Sequence, residues 1–172
     1  MKVIGYGDNV VDRYMNRKKM FPGGNCVNFA VYARKIGIES AYLGTFGDDI
    51  EAERIKEALA KQKVDISRCN VEKESVTERC DVNIADDGNR IFVQFDEREN
   101  LHDIRFLNDA DIQYLKEFDL IHLSCYAEEE SEVPKLKDQP GICTFDFSEE
   151  EEYRTEEYLD KICPYIDFAL FS

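Results

Sequence analysis

The chain predicts an α/β fold, with a central parallel sheet flanked by helices and a small second sheet beside it. Two observations carry this. From residue 2 to residue 171, short apolar runs of strand length alternate with longer segments of helical spacing. Between residues 77 and 95 the period switches to two, on either side of a turn. Alternating strands and helices call for a parallel sheet covered on both faces. The period-two segment does not fit that layer and predicts a separate sheet.

The elements follow in order. "KVIGYG" (2–7) is short and apolar and ends on glycine, so it predicts a buried strand. "RYMNRKKM" (13–20) is polar and amphipathic and predicts a strand away from the core. After "FPGG" (21–24), Val27, Ala30, Val31, Arg34 and Ile36 follow helical spacing, with Gly37 placed as the stop. "SAYLGTFG" (40–47) reads as a strand. "DDIEAERIKEALAKQ" then opens with two acids at a helix start and sets Ile50, Ile55, Ala58 and Leu59 on one face. "TERCDVNI" (77–84) and "RIFVQF" (90–95) flank "ADDGN", which predicts a hairpin with Ile91, Val93 and Phe95 alternating with Phe92. "LNDADIQYLKEF" begins a helix after an Asn/Asp cap, and "DLIHLS" (119–124) is a strand. A charged helix over about 127–138 then leads through Pro140-Gly141 into "ICTFDF" (142–147). A last acidic helix ends near Cys163, and "YIDFALF" (165–171) predicts a core strand whose outer edge exposes unpaired backbone groups and apolar side chains.

Composition bounds the function. A chain of 172 residues, 43% hydrophobic and 34% charged, buries one sizeable core. The net charge of −15 excludes nucleic acid and anionic membrane as partners, because both need a basic footprint. Much of that charge lies in "AEEESE" (127–132) and "SEEEEYRTEE" (148–157), both expected as solvated helix faces. No apolar stretch approaches the ~18 residues of a membrane span. The six cysteines are scattered without a CxxC pair and no secretory segment opens the chain, so reduced thiols and a cytoplasmic location are expected. With two histidines, a zinc site has little to draw on.

In open sheets of this kind ligands bind beyond the C-terminal ends of the strands. That places the chemistry at the loops Gly7–Asp12, Gly23–Asn28, Gly47–Asp49 and Asp146. Asp12 is either a turn aspartate or an acceptor for two neighbouring hydroxyls. Asn25 and Asn28 are either helix caps or the paired donors and acceptors that a polyol requires. Gly23 and Gly24 make a turn or allow close backbone approach. A P-loop is excluded, because "PGGNCVN" has neither the spacing nor the Lys-Ser/Thr ending.

Taken together, "GDNVVD", "PGGNCVNFAVYARKIG", "YLGTFGDD" and "FDFS" resemble the N-terminal half of the ribokinase-like (PfkB) sugar kinases, along the whole chain. Within that family the likeness is nearest to the fructoselysine 6-kinase branch, through "VDIS" (64–67) and "DFALFS" (167–172) as well. The resemblance implies a ribokinase-like α/β fold in which strands at about 13–20 and 77–95 form a lid over the sugar. It implies that Asp12 binds sugar hydroxyls, that Gly23, Gly24 and Asn28 hold the sugar at the helix start, and that Asn25 is a further substrate contact. ATP and Mg are the implied cofactors, and lids of this kind often pair two subunits.

The family's catalytic base and nucleotide donors lie in a C-terminal GAGD loop, and no GAGD occurs in this sequence. The chain therefore reads as an N-terminal part, with the C-terminal part absent and no catalytic residue of its own. Three readings stay open. One is a kinase for fructoselysine or a related sugar amine. Another is a catalytically inactive sugar-binding fragment. The third is a kinase for ribose, fructose or a nucleoside.

Overall fold

A computed structural model describes residues 1–96 and 105–172. In chain order the described elements are β1 (Lys2–Tyr6), β2 (Val10–Tyr14), β3 (Lys19–Gly23), α1 (Asn25–Lys35), β4 (Glu39–Leu43), β5 (Thr45–Phe46) and α2 (Ile50–Lys61). β6 (Asn70–Val71), β7 (Glu78–Ile84), β8 (Arg90–Asp96), α3 (Asp109–Leu115), β9 (Leu120–Ser124), β10 (Ile142–Asp146), α4 (Glu156–Ile162) and β11 (Phe168–Leu170) follow.

The parallel sheet has the order β11-β10-β9-β1-β4. The chain moves outward from β1 to β4 on one side and places β9, β10 and β11 on the other, so the order reverses between β1 and β9. Both faces are covered, as a parallel sheet requires. Ile4, Tyr6, Ala41 and Leu43 point into one core with Leu115, Phe118, Ile121, Phe145 and Ile162. Tyr42 points the other way, into a core with Cys26, Val27 and Ala30 of α1 and Ala52, Ile55 and Leu59 of α2. α1 lies directly on β1: a Cβ at Gly5 would come within 2.1 Å of the Cys26 carbonyl oxygen.

The second sheet is mixed, in the order β3-β2-β7-β8, with β2 and β7 parallel and the outer pairs antiparallel. The expected single strand at 13–20 is instead a hairpin. β2 ends at Tyr14, a 3-10 turn covers Met15–Arg17, and Lys18 takes a left-handed φ of 48° before β3. Asn16 secures the turn by donating through Nδ2 to the Ile84 carbonyl at 2.9 Å. The hairpin at 77–95 forms as β7 and β8, although the side chains of Phe92 and Phe95 lie outside the described residues.

Further expectations need correction. No α-helix forms over 127–138; Glu128 takes a left-handed φ of 55° and Pro134 opens only a 3-10 turn. Nor is "AEEESE" uniformly solvated. Glu129 and Glu132 are buried, and their carboxylates accept the backbone N–H groups of Arg105 at 3.1 Å and Leu107 at 2.6 Å. β11 is the outermost strand of the parallel sheet, with the apolar outer edge exposed as expected: Phe168 is 60% and Leu170 44% exposed, so the strand is not buried in the core. On α2 the buried stripe is Ala52, Ile55 and Leu59, and Ile50 faces solvent. The 148–157 run does stay solvated at Glu149, Glu151, Glu152, Glu156 and Glu157.

His122 of β9 is buried, stacks on Phe29 of α1 with centroids 4.5 Å apart, and meets Thr144 Oγ1 at 2.9 Å. Burial holds its imidazole below the ordinary histidine range, opposed by the charges of Asp146 and Asp8. The fold thus favours neutral His122, while the unfolded chain takes up that proton near pH 6.5. Its stabilising contribution is intact above that pH and is lost as pH falls below it. Thermal melts between pH 7.5 and 5.5 should show a falling Tm, with a shallower slope in His122→Asn. Equal slopes would show that His122 is not the linked group.

Candidate functional site

The strand order reverses between β1 and β9, and the C-terminal ends of the strands at such a reversal are where open sheets of this kind form a binding crevice. The turn after β1 is fixed first. The Tyr42 hydroxyl donates to the Gly7 carbonyl at 2.6 Å and accepts from Asn9 Nδ2 at 2.9 Å. Asn9 Nδ2 also reaches the Thr45 carbonyl at 2.9 Å. Held between Gly7 and Asn9, the buried Asp8 carboxylate accepts the Asn25 amide at 2.5 Å and the Cys26 amide at 3.2 Å. These are the first two helical N–H groups of α1, which have no partner inside the helix. A carboxylate there also complements the helix dipole. Gly24 precedes them with φ of 98°, and a Cβ on it would sit 2.9 Å from Asp8 Oδ2. The glycine is required at that position both for its φ and for the carboxylate's approach.

Several of the residues singled out from sequence lie at or beside this cap. Asp12 lies half-buried in β2, between Phe21 of β3 and Cys80 of β7. Gly23 closes β3, and a Cβ on it would lie 3.5 Å from Asp12 Oδ2. The bare face of Gly23 is therefore the face toward which the Asp12 carboxylate points. Phe21 and Tyr14 pack edge to face at 5.4 Å on the same side of the sheet as Asp12. Asn25, the first helical residue, donates through Nδ2 to Ser124 Oγ and Asp146 Oδ2, each at 3.3 Å. Asn28, one turn on, is exposed. Its backbone N–H closes the first helical bond, to the Gly24 carbonyl at 2.9 Å.

The 47–49 loop does not add to the site. Asp49 caps α2 by accepting from Ala52 at 2.8 Å and also accepts from Thr77, and Asp48 accepts from Glu74. Asp8, in the Gly7–Asp12 loop that the sequence places near the cleft, sits at a helix start, and Ser124 is the member that the sequence reading lacks. No local signal marks Ser124, because only the sheet order brings β9 beside β1.

Beyond Asp146, the Tyr126 hydroxyl donates to Glu150 at 2.6 Å and meets Ser148 Oγ at 2.5 Å. Burial and the neighbouring Glu150 push the Tyr126 phenol up. Burial pushes Glu150 up as well, but the hydrogen bonds from Tyr126 and Ser148 outweigh it and hold that carboxyl below its ordinary range. The crevice thus offers carboxylates, a carboxamide and hydroxyls. This set suits a ligand that donates hydrogen bonds. It does not fit a triphosphate, which needs cationic or N–H donors. Among the described residues no group of His, Cys, Asp and Glu could hold a metal ion. No step through ATP or Mg is assigned to these residues.

If Asp8 serves as the cap of α1, its loss is a stability effect. Asp8→Ala should cost about 1–2 kcal/mol, by analogy with other helix caps, and Asp8→Asn distinctly less. Urea unfolding with an unchanged m-value would read this. Equal losses in the two variants would contradict the capping role.

Comparisons with known proteins agree with this architecture. The model of the pfkB family carbohydrate kinases matches residues 1–166. The chain is 33% identical over 173 residues to fructosamine kinase FrlD of Bacillus subtilis, covering 100% of this chain and 59% of that protein. It is 32% identical over 166 residues to fructoselysine 6-kinase of Escherichia coli, covering 96% of this chain and 61% of that protein. The chain thus spans about three fifths of the length of the curated relatives it matches. Among solved structures, an uncharacterized sugar kinase from Pyrococcus horikoshii in complex with ATP superposes with a TM-score of 0.71 at 17% identity, over 94% of this chain and 58% of that one. The parallel sheet, the mixed second sheet and the glycine-opened helix are those of a ribokinase-like fold, and the chain belongs to the pfkB family of carbohydrate kinases.

Proposed function

We propose that the whole protein phosphorylates fructoselysine or a related sugar amine at its 6-hydroxyl, using ATP with Mg, and that this chain supplies most of the sugar site. The observation that carries the proposal is the packing of the Asp12 carboxylate toward the bare face of Gly23, next to Gly24 and Asn25 at the opening of α1. It is supported by identity of about one third to two kinases named for such substrates. Asp12 accepts from two sugar hydroxyls. The bare backbone at Gly23 and Gly24 lets the ring approach α1, and Asn25 and Asn28 complete the contacts. ATP supplies the phosphoryl group. The base that takes the 6-hydroxyl proton is assigned to the part of the relatives' length that this chain does not span. The acceptor-rich crevice, with Asp146 and Glu150 nearby, favours a substrate carrying an ammonium over neutral ribose or fructose. Reduced thiols fit a cytoplasmic enzyme: all six cysteines are free, and Cys26, Cys80, Cys125 and Cys143 are buried.

Asp12→Ala should weaken fructoselysine binding by roughly ten- to a hundredfold, the equivalent of a charged hydrogen bond worth about 1.5–3 kcal/mol. Asn28→Ala should weaken it less. Titration calorimetry on the whole protein reads both, and unchanged affinity in both variants would sink the site assignment.

Assembly is part of the same proposal. The mixed sheet ends on β8, an edge strand with Ile91 53% and Val93 55% exposed. Exposed apolar edges of this kind are normally covered. We assign this sheet to a lid-to-lid homodimer. Light scattering at micromolar concentration should give twice the monomer mass; a strictly monomeric protein would count against it.

A further inference from the structure

The Asn25 side chain is tied to the neighbouring strands of the parallel sheet. Its Nδ2 donates to Asp146 Oδ2 at the end of β10 and to Ser124 Oγ at the end of β9. Both acceptors are themselves anchored. Asp146 Oδ1 accepts the Ser148 amide at 2.8 Å, and Ser124 Oγ accepts the Tyr126 amide at 3.2 Å. A carboxylate oxygen cannot donate, so the group facing Asp146 must be the NH2 end of the carboxamide. The opposite end, Oδ1, has no hydrogen-bond partner among the described residues, and the residue is partly exposed.

We propose that Asp146 and Ser124 are positioning residues, fixing the Asn25 carboxamide so that its Oδ1, an acceptor, is presented to the substrate. This rests on the sugar-site reading above and sharpens it. Position 25 then accepts from a hydroxyl or ammonium of the ligand and cannot donate to a carbonyl or phosphate. Together with the Asp12 carboxylate, the site recognises the ligand by the protons it offers. The lock also explains why residues on β9 and β10 matter to a contact made from α1: they set the polarity of a group that could otherwise turn over.

An exchange of the two side chains tests this. In Asp146→Asn, the one carbonyl oxygen at 146 is claimed by the Ser148 amide, and an NH2 group faces Asn25. The Asn25 carboxamide must then turn over and present a donor. The Kd for fructoselysine, by titration calorimetry on the whole protein, should rise about tenfold, roughly the weight of one hydrogen bond. Asn25→Asp alone sets two carboxylates together and should also weaken binding. The double variant Asn25→Asp/Asp146→Asn restores a donor at 146 facing an acceptor at 25, again with an oxygen toward the substrate. Its Kd should return to within about threefold of the parent, with Tm recovering in parallel. If the two losses add in the double variant, the positioning role is overturned while the sugar site stands. If Asp12→Ala and Asn25→Asp both leave the Kd unchanged, the sugar-site reading itself falls, and the positioning role with it.

Discussion

The contact on which the site depends is the Asp8 carboxylate seated on the first two amides of α1. It joins the end of β1, the turn before β2 and the start of α1, three pieces that would otherwise move independently. A helix opening without such a partner leaves its N–H groups to water or to ligand. Here the carboxylate takes those of Asn25 and Cys26. That distinguishes the site from a phosphate cradle, where the helix amides themselves grip an anion.

The same fold uses its surplus of negative charge in two ways. Residues 148–157 leave most of their glutamates in water, where they set net charge and little else. Residues 127–132 bury Glu129 and Glu132, because a left-handed turn at Glu128 aims them at the backbone amides of Arg105 and Leu107. Each buried carboxylate satisfies an N–H that no strand or helix would otherwise reach, which offsets part of its desolvation. Glu132 also meets Lys135 at 2.6 Å, and a buried ion pair of Arg105 with Asp111 at 2.9 Å lies close by in the chain. The segment packs over one core by hydrogen bonding rather than by helix formation.

The sequence alone determined the alternation of strands and helices, the parallel sheet, the separate period-two sheet and the opening of α1 at Gly23-Gly24. These are short-range properties: burial period, turn chemistry and the demand of a positive φ at Gly24 are written within a few residues of where they act. Residues 13–20 were misread because a strand pair joined by a 3-10 turn has the same polar pattern as one amphipathic strand. The acidic stretch at 127–132 was misread because its glutamates find partners 24 and 25 residues away in the chain. Only the tertiary structure decided that Asp8 takes the first two amides of α1 and that β9 and β10 bring Ser124 and Asp146 to Asn25. Each of these depends on the lateral order of strands, and strand order is set by packing over the whole sheet, which no local pattern records.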